Sequence, residues 1–185
     1  VLDALDRQAG GGGDAASASV PVDALAADDR RLLDGLLGEG EVAAQVFDAA
    51  GEAAVQVQET VYAGVWRVVE RAADGRWHDR IEVGPAPALL AAAAADEALD
   101  GPEPSPLPGA MNAPALLTEL ADQRARWRPG DPAHVLNLTL LPLSPDDLRM
   151  LDEGLGQGRV VVLSRGYGNC RVSSTRRRHT WRVVY

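Results

Sequence analysis

Apolar and polar positions change period several times along the chain, and most clearly between residues 134 and 185. "HVLNLTLLPL" (134–143) is a nearly continuous apolar run and reads as a strand. Ser144 then offers an N-cap, with Pro145 at the first helical position and Asp146 and Asp147 in the first turn. Leu148, Leu151 and Leu155 mark the apolar face of a short helix that ends at Gly156 or Gly158, where a positive φ costs little. "RVVVLS" follows as a strand, "RGYGNC" as a connection, "RVSST" as a strand, "RRRH" as a basic turn and "TWRVVY" as a third strand. The first half has the same grammar: helix 26–37, strand 41–47, turn "DAAGE", strands 53–60 and 61–71, an "ADG" turn, strand 76–83 and helix 87–98. A separate helix, Pro114 to Trp127 with Asn112 as its cap, stands between the halves. Connections of hairpin length require antiparallel pairing, so the expected class is α+β and not a doubly wound sheet.

The shared grammar extends to identities. "LDGLLGEGEV" (33–42) matches "LDEGLGQGRV" (151–160) at an offset of 118, and "LAADDRRLLD" aligns with "LSPDDLRMLD" in the same frame. "WRVV" recurs at 66–69 and 181–184, offset 115, so the second copy has the shorter hairpin. The expectation is two tandem copies of a helix plus antiparallel β-meander unit. The second copy is expected to be truncated at its C-terminal end, since no counterpart of "RWHDRIEVG" and its helix follows Tyr185 in this sequence. The expected organisation is a flexible Gly/Ala/Ser-rich segment over 1–19, a first unit over 20–100, a Pro-rich linker over 101–111 and a second unit over 112–185.

Composition narrows the function classes. Only 4% of residues are aromatic, so the four Trp read as anchors of a thin core, Trp66 and Trp181 at equivalent repeat positions. No apolar run is long enough to span a bilayer, and no basic-then-apolar leader opens the chain. One cysteine cannot make an internal disulfide, which suits a reducing compartment, so a cytoplasmic protein is expected. The net charge of −9 hides an asymmetry: from Gly154 onward there are seven Arg and no Asp or Glu. The rest of the chain sets 11 Arg against all 27 acidic residues, which disfavours a nucleic-acid partner and favours a basic one.

Three features could carry chemistry. "SRGYGNCR" sets a glycine pair between Arg165 and Arg171, a pattern that can bring amides to an anion. A phosphate loop, however, leads into a helix, and here a strand follows. Cys170 among arginines could be a reactive thiol, or a small residue at a strand start. "STRRRH" (174–179) could bind an anionic group, dock an acidic protein surface, or be a solvated hairpin tip. His78, His134 and His179 are far apart and fit no metal or triad spacing, so no catalytic residue, metal or cofactor is expected.

The stretch "LPLSPDDL…LDEGLGQG…SRGYGNCR…T…R…TWRV" resembles the C-terminal region of the HupH/HyaF/HoxQ family of hydrogenase expression and formation proteins. "GEGEV…QETVYAGVWRV" resembles that family's first half. The resemblance implies a non-enzymatic, cytoplasmic accessory role in maturing a nickel–iron uptake hydrogenase. It further implies action on the iron–sulfur small subunit before twin-arginine export, beside a thioredoxin-like helper. On that reading Arg165, Gly166, Tyr167, Gly168, Asn169, Cys170 and Arg171, with Arg176, Arg177, Arg178 and His179, form a partner-docking face. The alternatives left open are a thiol or redox role of Cys170 in cluster handling, and a small-molecule (anion) site at the glycine loop. The small subunit's twin-arginine leader is the basic partner that the acidic bulk would suit.

Overall fold

The computed structural model describes residues 18–95, 105–166 and 168–185. In chain order the elements are β1 (Ala18–Pro21), α1 (Ala27–Leu37), β2 (Val42–Phe47), β3 (Ala53–Glu59), β4 (Val65–Arg71) and β5 (Trp77–Val83). There follow α2 (Ala88–Ala95), α3 (Ala113–Arg126), α4 (Pro145–Leu155), β6 (Val160–Ser164), β7 (Cys170–Ser174) and β8 (Trp181–Val184). The strands form one sheet in the order β1-β5-β4-β3-β2-β6-β7-β8, with antiparallel pairing from β1 through β7. The α+β class and the meander therefore hold.

The chain divides into two compact units. One contains the chain up to Ala93 with Arg159–Ser173 and Val183–Tyr185, and the other contains Ala94–Gly158 with Ser174–Arg182. In the first, α1 lays Leu33 and Leu37 on Val22, Val65 and Ile81, which makes a core on one face of the sheet. The opposite face carries Ala44, Val46, Val55, Val57 and Val68, all buried, as strict alternation along paired strands requires. In the second unit, α3 and α4 bury Ala113, Leu116, Leu117, Met150 and Leu151 against one another.

Several expectations need correction. Residues 134–143 are not a strand: their only regular element is a 3-10 turn at Leu138–Leu140. The leucines that gave the apolar run, Leu136, Leu138 and Leu143, pack on the α3/α4 cluster instead. Asn137 shapes the turn by accepting the Thr139 N–H at 3.1 Å. On α4 the buried positions are Asp147, Met150, Leu151 and Gly154, whereas Leu148 is 41% exposed. The strand expected over 61–71 starts at Val65, because a turn through Gly64 (φ 75°) precedes it. Strand β1 was not anticipated: "ASVP" is too short to show a period next to the Gly/Ala/Ser tract, yet it pairs along β5 from Ala18 onward. Most of that tract, the end of the expected helix 87–98 and the start of the Pro-rich linker lie outside the described residues.

Candidate docking hairpin and basic turn

Register decides how the "SRGYGNCR" residues are presented. Ser164 pairs with Cys170 and Leu163 with Arg171, so residues 165–169 form the connection of the β6–β7 hairpin. Because side chains alternate, Cys170 and Arg171 lie on opposite faces of the sheet. Arg171 shares its face with Leu163, Ala43 and Gln45. On that face a groove of about 490 Å³ is lined by Leu37, Gly38, Ala43, Gln45, Gln56 and Leu163, among others.

The hairpin connection is anchored by Glu41. The Arg165 N–H donates to the Glu41 carbonyl at 3.0 Å, and a Cβ on Gly166 would collide with the Glu41 carboxylate. Gly166 lets the Glu41 carboxylate lie against the loop, and Gly168, with φ 92°, supplies the left-handed turn residue. A carboxylate against the loop opposes an anionic ligand, which counts against a phosphate cradle. Arg165, Asn169 and Arg171 are exposed, and neither arginine makes an ion pair among the described residues. Tyr167 lies outside the described residues. Cys170 is a half-buried free thiol whose side chain has no hydrogen-bond partner among the described residues.

The basic turn belongs to the other unit and is built on Thr175. Its hydroxyl accepts the Arg177 N–H at 3.1 Å, and the Thr175 N–H donates to the Thr180 carbonyl at 3.1 Å. Arg176 and Arg178 are exposed and without ion pairs among the described residues. Arg177 departs from the expectation that all three arginines face a partner. It is 7% exposed, and its Nε donates to the Gly154 carbonyl at 2.8 Å. His179 adopts φ 57° and stacks on Trp127 with ring centroids 4.6 Å apart.

The remaining candidates are dispersed. His78 meets Asp23 at 3.2 Å and His134 meets Glu119 at 2.7 Å, both near the surface. Among the described residues no three His, Cys, Asp or Glu side chains are grouped to hold a metal ion. Trp66 is buried and its Nε1 donates to the Gly84 carbonyl at 2.9 Å. Trp181, expected to be its core equivalent, is 39% exposed, because β8 stands last in the strand order with no strand beyond it.

A residue that the pattern undersold is Asp147. Its Oδ1 accepts the N–H groups of Met111, Asn112 and Ala113, each at 2.8 Å, while its Oδ2 accepts the Ser144 N–H at 2.9 Å. Asn112, expected to cap α3, makes no side-chain cap; its side-chain amide donates instead to the Pro142 carbonyl at 3.0 Å. Amide hydrogen bonds, led by that of Ala113, hold the Asp147 carboxyl far below the ordinary carboxylate range against the opposing effect of burial. "SPDD" announces an N-terminus, but nothing in it shows that one carboxylate serves two helices.

Comparison with known proteins decides the family. The HupH hydrogenase expression protein, C-terminal conserved region, matches residues 18–101 and again 110–185. This chain belongs to that family. A HupH-family relative from Cupriavidus necator, the hydrogenase expression/formation protein HoxQ, is 50% identical over all of this chain and 64% of its own length. The hydrogenase-1 operon protein HyaF of Escherichia coli is 35% identical over 86% of this chain and 55% of its own length. A solved HupH hydrogenase expression protein from Thiobacillus denitrificans aligns over 68% of this chain and 92% of its own, with 22% identity and a TM-score of 0.41. The chain thus spans between about half and two thirds of the length of these curated relatives. Among the described residues no helix is long and apolar enough to cross a membrane.

Proposed function

We propose that this HupH-family chain is a non-catalytic maturation factor for a nickel–iron hydrogenase, working in the cytoplasm. It docks the iron–sulfur small-subunit precursor before twin-arginine export and hands it on with a thioredoxin-like helper. The observation that carries this reading is the grouping of four exposed arginines without ion pairs among the described residues, Arg165 and Arg171 on one hairpin and Arg176 and Arg178 on one turn, whereas Arg76 and Arg128, also exposed and without ion pairs, stand apart in sequence. Elsewhere the chain's arginines are largely spent on internal carboxylates, as Arg67 is on Asp34 and Asp79. Cations held free on a hairpin and a turn suit an acidic protein surface, and the relatives' names, which tie them to hydrogenase formation, support looking for that surface on a hydrogenase precursor. The acidic remainder of the chain suits the arginines of the small subunit's leader. Capture from hydrogenase-expressing cells tests this: the intact chain should retain the small-subunit precursor, and Arg165→Glu with Arg171→Glu should lose it. Retention by Cys170→Ser favours docking by shape, and its loss would instead favour thiol chemistry at Cys170.

We further propose that the scaffold is two copies of one unit. Helices α1 and α4 have equal length and coincide under the 118-residue offset, as do the starts of β2 and β6. Gly38 and Gly156, both with positive φ, close them. Val61 N–H donates to the Leu37 carbonyl and Arg176 N–H to that of Leu155, both at 2.9 Å. Thr60 and Thr175 build the same turn, each donating its N–H five residues ahead and capping with its hydroxyl. Arg67–Asp34 recurs as Arg182–Asp152. The β2–β6 register is symmetric about the Ala44–Val162 pair, which are equivalent residues.

A further inference from the structure

The clearest difference between the copies is what covers their helices, and the inference here rests on the two-copy reading. On α4, Met150 is buried with Ala113, Leu116 and Leu117 of α3, Leu143 just before the helix packs on the same cluster, and Gly154 on α4 is buried too. The α3 N-terminus is held there by the Asp147 carboxylate. Under the 118-residue offset the counterparts in α1 are Leu32, Leu36, Leu25 and Asp29. Leu25, Leu32 and Leu36 are 39%, 63% and 57% exposed. Asp29 is exposed, and its carboxylate has no hydrogen bond or ion pair among the described residues. Val61 and Tyr62, next to the C-terminal end of α1, extend the apolar surface at 60% and 53% exposure. The first copy therefore carries a leucine face and a free carboxylate where the second copy carries a docked helix.

We propose that this face of α1 is a docking site for an amphipathic helix of a partner protein. The first-turn amides of that helix meet Asp29, and its leucine-type side chains cover Leu32 and Leu36. Charge complementarity selects the occupant. A helix N-terminus carries roughly half a positive charge and several unsatisfied N–H groups, which is what a lone carboxylate accepts. A second copy of this chain is a poor fit, because α1 has Asp28 and Asp29 in its first turn and no basic residue in its last. Pairing two such N-termini sets carboxylate against carboxylate.

The probe is a side-chain-stapled, fluorescein-labelled peptide with the sequence of residues 110–127, the α3 segment itself, because an unconstrained helix of this length is marginal in water. Titrated with the full chain, it should show saturable binding by fluorescence anisotropy. Asp29→Asn should weaken that binding about two- to fivefold. Leu32→Glu combined with Leu36→Glu should weaken it more than about tenfold. Both leucines are exposed, so the melting temperature of the double variant should match that of the parent. If it does not, the Asp29→Asn result decides. No saturable binding overturns the proposal, and so does binding indifferent to all three substitutions, which would mean displacement of α3 from α4. Gly40→Ala and Gly158→Ala test the two-copy reading separately. Comparable destabilisation by both, with no peptide binding, removes the docking site and leaves the duplication standing. Destabilisation by only one removes the duplication.

Discussion

Asp147 shows how one side chain can fix two helix starts. Its carboxylate replaces the missing intrahelical acceptors of α3 while completing the capping box of α4 with Ser144. Its folded-state pKa lies below the ordinary 3.8, so the ionised form is the one that stabilises the fold. That contribution is complete above the unfolded-state value and is lost as pH falls through the folded-state value. Thermal melts between pH 5 and 2 should therefore show the parent losing stability on acidification more steeply than Asp147→Asn, which has no carboxylate to protonate. Parallel curves would show that the carboxylate contributes nothing. Glycines matter at the same scale. A Cβ at Gly158 would lie 2.8 Å from the Thr175 carbonyl and would also crowd Ser174 Oγ. Gly158→Ala should destabilise by about 1–3 kcal/mol in denaturant melts, and Gly40→Ala, against the Thr60 and Glu59 carbonyls, by a similar amount.

At the scale of elements, the 175–180 turn separates arginines by task. Arg177 is buried on the Gly154 carbonyl, so Arg177→Ala should cost roughly 1.5–3 kcal/mol. The exposed Arg178 should cost less than about 0.5 kcal/mol when changed to Ala. Equal effects would mean that the turn is not anchored as described. The sequence could not separate these two, because "RRRH" has no period, and only the fold shows which arginine points inward. The helices and hairpins were legible where local chemistry specifies them: Ser144–Pro145 starts α4, Gly156 ends it, and Asp74–Gly75 turns β4 into β5. Residues 134–143 misled because an apolar run that lies over a helix pair has the same composition as a buried strand. Trp181 misled because its sequence pattern matches that of Trp66, whereas β4 lies between β3 and β5 and β8 is last in the strand order among the described residues. Of the candidate site, the hairpin position of "RGYGNC" was readable. The assignment of Cys170 and Arg171 to opposite faces was not, because it depends on the register with Leu163 and Ser164.

For the whole molecule, the proposal joins membership of a hydrogenase expression/formation family to four exposed arginines that make no ion pair among the described residues. The β2–β6 register is symmetric about the Ala44–Val162 pair, and on the proposed two-copy reading the copies differ in what they display. Among the described residues, the stretch 165–178 shows exposed arginines without ion pairs, and α1 shows exposed leucines and, at Asp29, a carboxylate without a partner. The most direct test is a calorimetric titration of purified hydrogenase small-subunit precursor with this chain at low and high salt. The account predicts saturable binding that weakens with salt, is unchanged by Cys170→Ser, and falls more than about tenfold in Arg165→Glu/Arg171→Glu. Salt-independent binding that the double arginine variant retains would contradict it.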